Sequence, residues 1–345
     1  MKKTNPFSLT FGKEPASMIS RQVQDQEIID AFLADNPAYQ VCMITGLRGS
    51  GKTVSMTSIA NEIRNNSDWI ILDLNSERNM LQSMAAELCN RRELFQLFRE
   101  AKINLSIFGL GLEIEGAPPI TDEVVALDRM LERITKKGKK VLVTVDEAVS
   151  NQNMREFASQ FQIFIRKNYN VFLLMTGLYE NIYEIQNEKT LTFLYRAPKV
   201  ELKPLNLKII ASNYKKIFNL SDEDATAMAR ITKGYPFAYQ ALGYICYKNA
   251  IKYDEALPEL DMYLEEYVYE KVWNELSPKD KVVLRGMCGL EDSKVENIRQ
   301  AIDMDSNTFN VYRKRLLKKG IIESKEYGYL SFVLPRFSEF VLGTE

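Results

Sequence analysis

The chain has 345 residues, and its 45 lysines and arginines against 46 aspartates and glutamates leave a formal net charge of −1. This length exceeds what one hydrophobic core usually supports, so two or three domains are expected. The chain contains no histidine, which excludes Ser-His-Asp and Cys-His triads and most zinc sites. Any chemistry must therefore use carboxylates, Lys, Arg, hydroxyls and Mg²⁺.

Membrane and export signals are not visible in the sequence. No apolar run approaches the roughly 18 residues that a membrane helix needs, and the first residues lack the apolar stretch of a secretory signal. The cysteines lie far apart and mostly in apolar surroundings, which is typical of core thiols in a reducing compartment. They are Cys42, Cys89, Cys246 and Cys288. We therefore expect a cytoplasmic protein that does not contact membranes.

A phosphate loop follows the first predicted strand, Val41–Thr45, and precedes a helix predicted over residues 54–65. Residues 46–53 match G-x-x-x-x-G-K-[ST], in which glycines let backbone N–H groups curl around phosphate oxygens. Lys52 is expected to reach the β- and γ-phosphates from a solvent-facing position, and Thr53 to bind Mg²⁺. The loop predicts ATP or ADP with Mg²⁺ as cofactors, bound by Gly46, Arg48, Gly49, Ser50, Gly51, Lys52, Thr53 and Val54.

The alternation of strands and helices is interrupted after a second predicted strand, Trp69–Leu74. Within residues 91–119, the segments 103–107 and 111–115 alternate and flank a Gly-rich turn, which suggests a hairpin insertion. Residues 121–124 then predict a helix N-cap. No function is assigned to the insertion.

Two adjacent carboxylates end the strand predicted over residues 141–145. An uninterrupted apolar run predicts a parallel strand buried on both faces, and α/β sheets bind ligands at the carboxyl ends of their strands. Asp146 is predicted to hold the magnesium shell, and Glu147 to orient and deprotonate the attacking water. The alternative is a surface Asp-Glu pair after a core strand.

Thr176 and Arg196 complete the predicted catalytic set with Lys52 and Glu147. Thr176 ends a strand predicted over residues 171–175, where its hydroxyl would contact the γ-phosphate or the attacking water. Arg196 precedes the last predicted strand, and would stabilise charge on the γ-phosphoryl group in its own site or a neighbour's. Each has an ordinary alternative, as a strand end and as a surface arginine.

Helices replace strands after about residue 205. Residues 207–218, 222–233 and 237–252 predict three helices, and a small helical bundle after a P-loop sheet is typical of a lid that moves with nucleotide state. The next stretch, residues 254–275, is acidic and is not expected to approach DNA phosphates.

The C-terminal segment predicts three helices and a hairpin, the order of elements in a winged helix. The helices are predicted over residues 277–288, 294–302 and 306–319. The third carries the basic content of a recognition helix, which predicts DNA as a partner through Arg313, Lys314, Arg315, Lys318 and Lys319. An internal packing module and an ordinary solvated face remain as alternatives.

Four features together resemble the additional-strand ATPases of the AAA+ and STAND type. They are the phosphate loop (Walker A), the strand that ends in Asp146-Glu147 (Walker B), the strand that ends in Thr176 and the later Arg196. Leu178 departs from the arginine that many STAND switches carry after Thr176-Gly177, which leaves Arg196 as the finger candidate. Gly234-Tyr235-Pro236 resembles the Gly-x-Pro motif of the STAND lid, and this resemblance implies that Pro236 lies against the nucleotide.

The N-terminal segment carries a further resemblance. Asn5-Pro6-Phe7, Phe11-Gly12 and Ile19-Ser20-Arg21 are similar to the start of bacterial and archaeal AAA-family ATP-binding proteins. In that family this segment runs beside the adenine, which adds Arg21 to the expected nucleotide-binding residues.

The sequence thus predicts an α/β chain with a P-loop parallel-sheet ATPase domain (1–204), a helical lid (205–270) and a winged-helix domain (271–345). We expect an ATP-dependent switch in which slow hydrolysis moves the lid, and the lid repositions the winged helix toward DNA, a protein partner or another copy in a homo-oligomer. The alternatives are a nucleotide-bound regulator or scaffold that does not hydrolyse ATP, and a small-molecule kinase. The Asp-Glu pair, the lid motif and the winged helix count against the kinase.

Overall fold

The computed structural model describes residues 4–10, 17–19, 21–100, 122–290 and 293–344. The chain forms two compact units. The sheet unit comprises residues 22–45 and 52–201, and the C-terminal unit comprises residues 46–51 and 202–345 with the described part of residues 1–21. The hairpin expected within residues 103–115 lies outside the described residues, as do Phe11, Gly12 and Ser20.

Five parallel strands form the centre of the sheet unit, in the spatial order β2-β3-β4-β1-β5. Strand β4 pairs with both β1 and β3, so it separates the strand before the phosphate loop from the strand before Asp146. The strands are β1 (Val41–Thr45), β2 (Trp69–Leu74), β3 (Lys140–Val145), β4 (Val171–Gly177) and β5 (Lys199–Glu201). All five were predicted. The first four are largely apolar runs, which are typical of buried parallel strands, whereas β5 has three residues, of which Lys199 and Glu201 are exposed.

Helices flank these strands along the chain, and the helices within residues 80–186 share one apolar core with strands of the sheet. Asp122 begins one of the helices as its N-cap, since its side chain accepts from the backbone N–H groups of Val124 and Val125. Such a cap contributes about 1 kcal/mol. The helices are α1 (Gln22–Leu33), α2 (Lys52–Arg64), α3 (Met80–Cys89), α4 (Arg92–Glu100), α5 (Glu123–Lys136), α6 (Gln152–Arg166) and α7 (Tyr179–Gln186), with a 3-10 turn at Leu194–Arg196.

The C-terminal unit begins with the three helices that the sequence predicted for a lid. They are α8 (Leu207–Phe218), α9 (Asp222–Ile231) and α10 (Pro236–Asn249). The acidic stretch, for which no element bounds were predicted, forms one continuous helical segment. It consists of α11 (Leu257–Leu264), a π-helical turn (Glu265–Tyr269) and α12 (Glu270–Asn274).

The last part of the C-terminal unit contains the predicted helices and hairpin, in the predicted order. Strands β6 and β7 pair antiparallel, and Lys294 forms an isolated bridge with Tyr329. The elements are α13 (Pro278–Met287), α14 (Val295–Ala301), α15 (Ser306–Lys318), β6 (Ile322–Glu323), β7 (Ser331–Phe332) and a final helix α16 (Phe337–Gly343) that was not predicted. Its assignment as a winged helix stays a prediction.

The predicted domains differ from the compact units. The predicted lid and winged helix belong to one compact unit, which also contains residues 46–51 of the phosphate loop. This unit has its own apolar core, in which Phe7 of the N-terminal segment is buried beside residues of α8 and α10. The boundaries at residues 204 and 270 stay predictions.

The cysteines are free thiols, as predicted, and Cys42, Cys89 and Cys246 are buried while Cys288 is half-buried. Burial raises the pKa of the Cys42 thiol to about 12, so this thiol stays protonated at neutral pH. Within the described ranges, no helix has the length and apolar character to cross a membrane.

Candidate nucleotide-binding site

In the sheet unit, Asp146 lies between two threonine hydroxyls. Thr53, in the first turn of α2, donates a hydrogen bond to Asp146 Oδ2 across 2.8 Å. Thr176, at the end of β4, donates to Asp146 Oδ1. The predicted metal ligands and the predicted sensing hydroxyl are therefore in direct contact, because β3 and β4 are parallel neighbours that end at the same edge of the sheet.

Glu147 occupies a tight turn after Asp146. Its backbone N–H donates to Thr176 Oγ1 across 3.2 Å, and the N–H of Ala148 donates to the Thr176 carbonyl across 2.8 Å. The turn places Glu147 in the left-handed region, with φ 50°, and leaves its side chain exposed. This conformation costs a residue other than glycine about 1–2 kcal/mol, and such strain clusters at functional sites.

Lys52 and Thr53 open α2, and the first turn of this helix carries no acidic residue. The N-terminal end of the helix carries a partial positive charge and favours an anion. The expectation that Lys52 faces solvent is wrong, because its side chain is buried. Val54 follows as a half-buried residue.

In the C-terminal unit, the phosphate-loop residues 46–51 adopt a glycine-dependent conformation. Gly49 and Gly51 have φ 72° and 87°, values that side chains of L-residues disfavour. A Cβ at Gly46 would lie 2.6 Å from Ser50 Oγ, so a larger residue would displace this buried hydroxyl. The conformation of the loop thus depends on glycine at positions 49 and 51.

Two buried polar atoms of the loop have no hydrogen-bond partner among the described residues, Arg48 Nε and Ser50 Oγ. Buried polar atoms are nearly always paired in folded proteins, and those left over commonly bind a ligand or water. Both atoms can donate to a phosphate oxygen.

The loop is held by the helices of its own unit. The hydroxyl of Tyr235, the residue before α10, donates to the Arg48 carbonyl. A Cβ at Gly51 would lie 3.9 Å from the ring of Pro236, so the proline of the Gly-x-Pro motif is adjacent to the loop. The Arg48 guanidinium forms an ion pair with Glu275 at 3.0 Å, directly after α12.

Arg21 also contacts the loop. Its guanidinium donates to the carbonyl of Ser50 across 2.9 Å and to the carbonyl of Lys203. Earlier in the N-terminal segment, the Ser8 N–H donates to Gln240 Oε1 of α10 across 3.0 Å. Placement of this segment beside an adenine stays a prediction.

Arg196 is exposed at the end of the 3-10 turn. Gln186 of α7 holds this turn by donating to the Leu194 carbonyl across 3.1 Å. The structure thus fixes the backbone beside Arg196, while its role as an arginine finger stays a prediction.

The contacts of Arg315 differ from the role predicted for it in a DNA-recognition helix. It donates from Nε to Asp280 Oδ1 across 2.9 Å and from Nη2 to Ser277 Oγ across 2.6 Å, so it ties α15 to the capping box that begins α13. A guanidinium engaged in this way does not neutralise DNA phosphates. The exposed basic residues of α15 are Lys314 and Lys318.

Sequence reasoning assigned no role to the side chains of Tyr235 and Glu275, although both contact the loop. Tyr235 is the variable residue of the Gly-x-Pro motif, and that position was its only signal. Glu275 belongs to the acidic stretch, and nothing in its sequence context distinguishes it from the neighbouring carboxylates. Both contacts depend on tertiary packing.

Comparison with solved structures shows that the chain has an AAA+ P-loop ATPase-like fold. It is similar to the Walker-type ATPase PABY2304 of Pyrococcus abyssi, with a TM-score of 0.65 and 15% identity over 94% of this chain and 96% of that chain. It is also similar to the ORC2 protein of Aeropyrum pernix in ADPNP–ADP complexes, with a TM-score of 0.62 and 12% identity over 97% of this chain and 95% of that chain. At such identities the likeness is one of fold.

Comparison of the sequence with protein families gives a match that lies in the C-terminal unit. A family described as a domain of unknown function, DUF8462, matches residues 266–341, a stretch that includes neither the phosphate loop nor Asp146. No curated protein matches the sequence.

Proposed function

We propose that this chain binds ATP with Mg²⁺ and hydrolyses ATP slowly, as a molecular switch. The observation that carries the proposal is the 2.8 Å hydrogen bond between Thr53 and Asp146. It joins the hydroxyl of the phosphate-loop motif to the carboxylate that follows β3, the two protein groups that hold Mg²⁺ in P-loop ATPases.

The oxygen atoms of this pair fit Mg²⁺. Neighbouring ligands of an octahedral ion with bonds of 2.0–2.1 Å lie about 2.9 Å apart, close to the observed separation. In the part of the chain that the structure describes, no group of three or more Cys, Asp or Glu side chains could hold a metal ion. Thr53 and Asp146 would therefore hold Mg²⁺ together with phosphate oxygens and water. When bound, the ion would neutralise charge on the β- and γ-phosphates.

The phosphate loop supplies the donors for the phosphates. Its left-handed glycines let the loop backbone curl around a phosphate, and the unpaired Arg48 Nε and Ser50 Oγ add two side-chain donors. The chain continues directly from Gly51 into Lys52, which adds a positive charge at the N-terminus of α2.

Glu147 is the proposed general base. Its exposed carboxylate is available to accept the proton of the attacking water. Thr176 donates its single hydroxyl proton to Asp146 and accepts from the Glu147 N–H. In the proposed reaction Thr176 therefore positions both carboxylate residues, and it can contact the γ-phosphate only if the bond to Asp146 is exchanged.

The contacts of the loop with Tyr235, Pro236 and Glu275 support a switch. A change of loop conformation on nucleotide binding would act directly on α10 and on the end of α12. We propose that the C-terminal helices and hairpin pass this change on to a partner. DNA is the partner we test, with protein and a second copy of the chain as the other outcomes.

The test is calorimetric titration with ATP, ADP and a non-hydrolysable analogue, with and without Mg²⁺, followed by phosphate-release assays with and without duplex DNA. We expect binding that Mg²⁺ strengthens and slow release of phosphate. Failure of every nucleotide to bind would contradict the proposal. Binding without release would favour the non-hydrolysing regulator, and size-exclusion mass with ATP would detect a homo-oligomer.

A further inference from the structure

The Tyr235 side chain makes a specific contact inside the phosphate loop. Its hydroxyl donates a hydrogen bond to the carbonyl of Arg48, and the side chain is buried. Both residues belong to the C-terminal unit. The bond joins the lid motif to the loop backbone across 187 positions of the chain.

This bond fixes the direction of a neighbouring N–H group. The carbonyl of Arg48 and the N–H of Gly49 belong to one planar trans peptide, in which the two groups point in opposite directions. Because Tyr235 holds the carbonyl, the N–H of Gly49 must point away from Tyr235. Gly49 has φ 72°, so the peptide on its N-terminal side would turn easily without this bond.

The aromatic ring sets the distance as well as the direction. A Cβ at Gly49 would collide with the Tyr235 hydroxyl and lie 3.2 Å from Phe237 Cβ. The loop therefore approaches the start of α10 as closely as a glycine allows. Burial raises the pKa of Tyr235 well above its usual value, so the phenol remains a proton donor at neutral pH.

We propose that Tyr235 is a positioning residue for phosphate binding, whose hydroxyl holds the Arg48–Gly49 peptide with its N–H directed at a nucleotide phosphate. The inference rests on the proposed nucleotide-binding function of the loop. It assigns to the variable residue of the Gly-x-Pro motif an effect on affinity for phosphates, separate from any contact of Pro236.

The test compares tyrosines that each lose one buried hydroxyl. Tyr235→Phe removes the bond to the loop and keeps the ring. The matched controls are Tyr239→Phe, whose hydroxyl donates to the Ser17 carbonyl across 2.9 Å, and Tyr214→Phe, whose hydroxyl donates to the Tyr239 carbonyl across 2.7 Å. All three variants remove a buried hydroxyl–carbonyl bond within one unit, so they should lose similar stability.

Only Tyr235→Phe should change nucleotide binding. We expect ATP and ADP to bind about five- to tenfold more weakly, the change that loss of one net hydrogen bond produces. The affinity for AMP should change less, so the ratio of ATP to AMP affinity falls. The turnover rate at saturating ATP should stay within about twofold, since the bond acts on binding. Replacing Tyr235 by p-aminophenylalanine, which keeps a donor at the para position, should restore most of the affinity.

Equal ATP affinity of Tyr235→Phe and the wild-type chain would overturn the inference. Equal losses in all three variants would also overturn it, because the effect would then be one of stability. If Tyr235→Phe does not fold, the p-aminophenylalanine variant decides, and loss of ATP affinity in that folded variant counts against the inference. A wild-type chain that binds no nucleotide is a separate result that contradicts the proposed function itself.

Discussion

The hydroxyl of Thr53 lies 2.8 Å from Asp146 Oδ2, although the two residues are 93 positions apart in the sequence. A carboxylate in this position should bind Mg²⁺ together with the hydroxyl. We therefore predict that Asp146→Asn removes most of the effect of Mg²⁺ on ATP affinity. The measurement is the ratio of the ATP dissociation constants in EDTA and in Mg²⁺, which should exceed about tenfold in the wild-type chain and fall toward one in the variant.

Asp73→Asn is the matched control for this prediction. Asp73 lies on the neighbouring β2 and accepts a hydrogen bond from Thr144, so the variant loses a carboxylate of the same unit away from Thr53. Its Mg²⁺ ratio should equal that of the wild-type chain. An undiminished ratio in Asp146→Asn would remove Asp146 from the proposed metal site.

Lys52→Met should abolish tight ATP binding while the chain still folds. The charge-assisted contact that it removes typically contributes about 1.5–3 kcal/mol, which corresponds to about 10- to 150-fold in affinity. Methionine is chosen because Lys52 is buried, and alanine would leave a cavity. Lys167→Met is the control, since Lys167 is exposed and paired with Asp128 at 2.6 Å. Nucleotide affinity that survives in folded Lys52→Met would contradict the phosphate-loop assignment.

Two substitutions at Glu147 should separate its effect on ATP hydrolysis from its effect on the free energy of unfolding. Glu147→Gln should keep ATP binding and slow phosphate release, because the amide cannot accept the proton of water. Glu147→Gly should also be inactive, yet it should raise the free energy of unfolding by about 0.5–1 kcal/mol, since glycine adopts φ 50° without strain.

Asn168→Gly is the control for the backbone effect, because Asn168, two residues after α6, has φ 58° in the same unit. It should be at least as stable as the wild-type chain and fully active. Chemical denaturation and phosphate release, measured on the same preparations, check both parts. Wild-type turnover in Glu147→Gln would mean that another group activates the water.

The sequence predicted the elements whose signals are local. Strands β1 to β4 are largely apolar runs, and the phosphate loop and Asp146 follow two of them directly. The bounds of α11 and α12 were not predicted, because the acidic stretch was interpreted only through its charge. Its buried residues Tyr269, Val272 and Trp273 nevertheless lie at helical spacing.

Contacts between distant positions could not be predicted. The Arg48–Glu275 pair spans 227 positions, and it depends on how α12 packs within its unit. Arg315 shows the same limit, because its charge suggested DNA while its position against Asp280 gives it a structural role. Residue type indicates which interactions a side chain can make, and packing decides which one it makes.

Arg196 is predicted to act in its own site or on a neighbouring copy. If it acts on a neighbouring copy, ATPase activity per chain should rise with protein concentration, and Arg196→Ala should lose this rise. Mixing Arg196→Ala with Glu147→Gln chains should restore part of the activity, because some interfaces then combine an intact arginine with an intact base.

Arg166→Ala is the control for a lost surface arginine, since Arg166 is exposed at the end of α6 in the same unit. Its activity should follow the wild-type concentration dependence. A monomer whose activity per chain does not vary with concentration would exclude action in trans, and loss of activity in Arg196→Ala would then indicate a role within its own site.

Arg315 and Lys314 are adjacent on α15, but their replacement by alanine should change the free energy of unfolding by different amounts. Asp280 is 2% exposed and Arg315 is 40% exposed, so solvent screening reduces the value of their ion pair, and Arg315→Ala should cost about 1–2 kcal/mol in unfolding free energy. Lys314→Ala should change that free energy by less than about 0.5 kcal/mol.

If α15 contacts DNA, the double variant Lys314→Ala, Lys318→Ala should flatten the salt dependence of duplex binding, by about 0.9 in log–log slope for each phosphate that the variant no longer neutralises. No duplex binding at low salt, with ATP, ADP or neither, would exclude DNA and favour a protein partner.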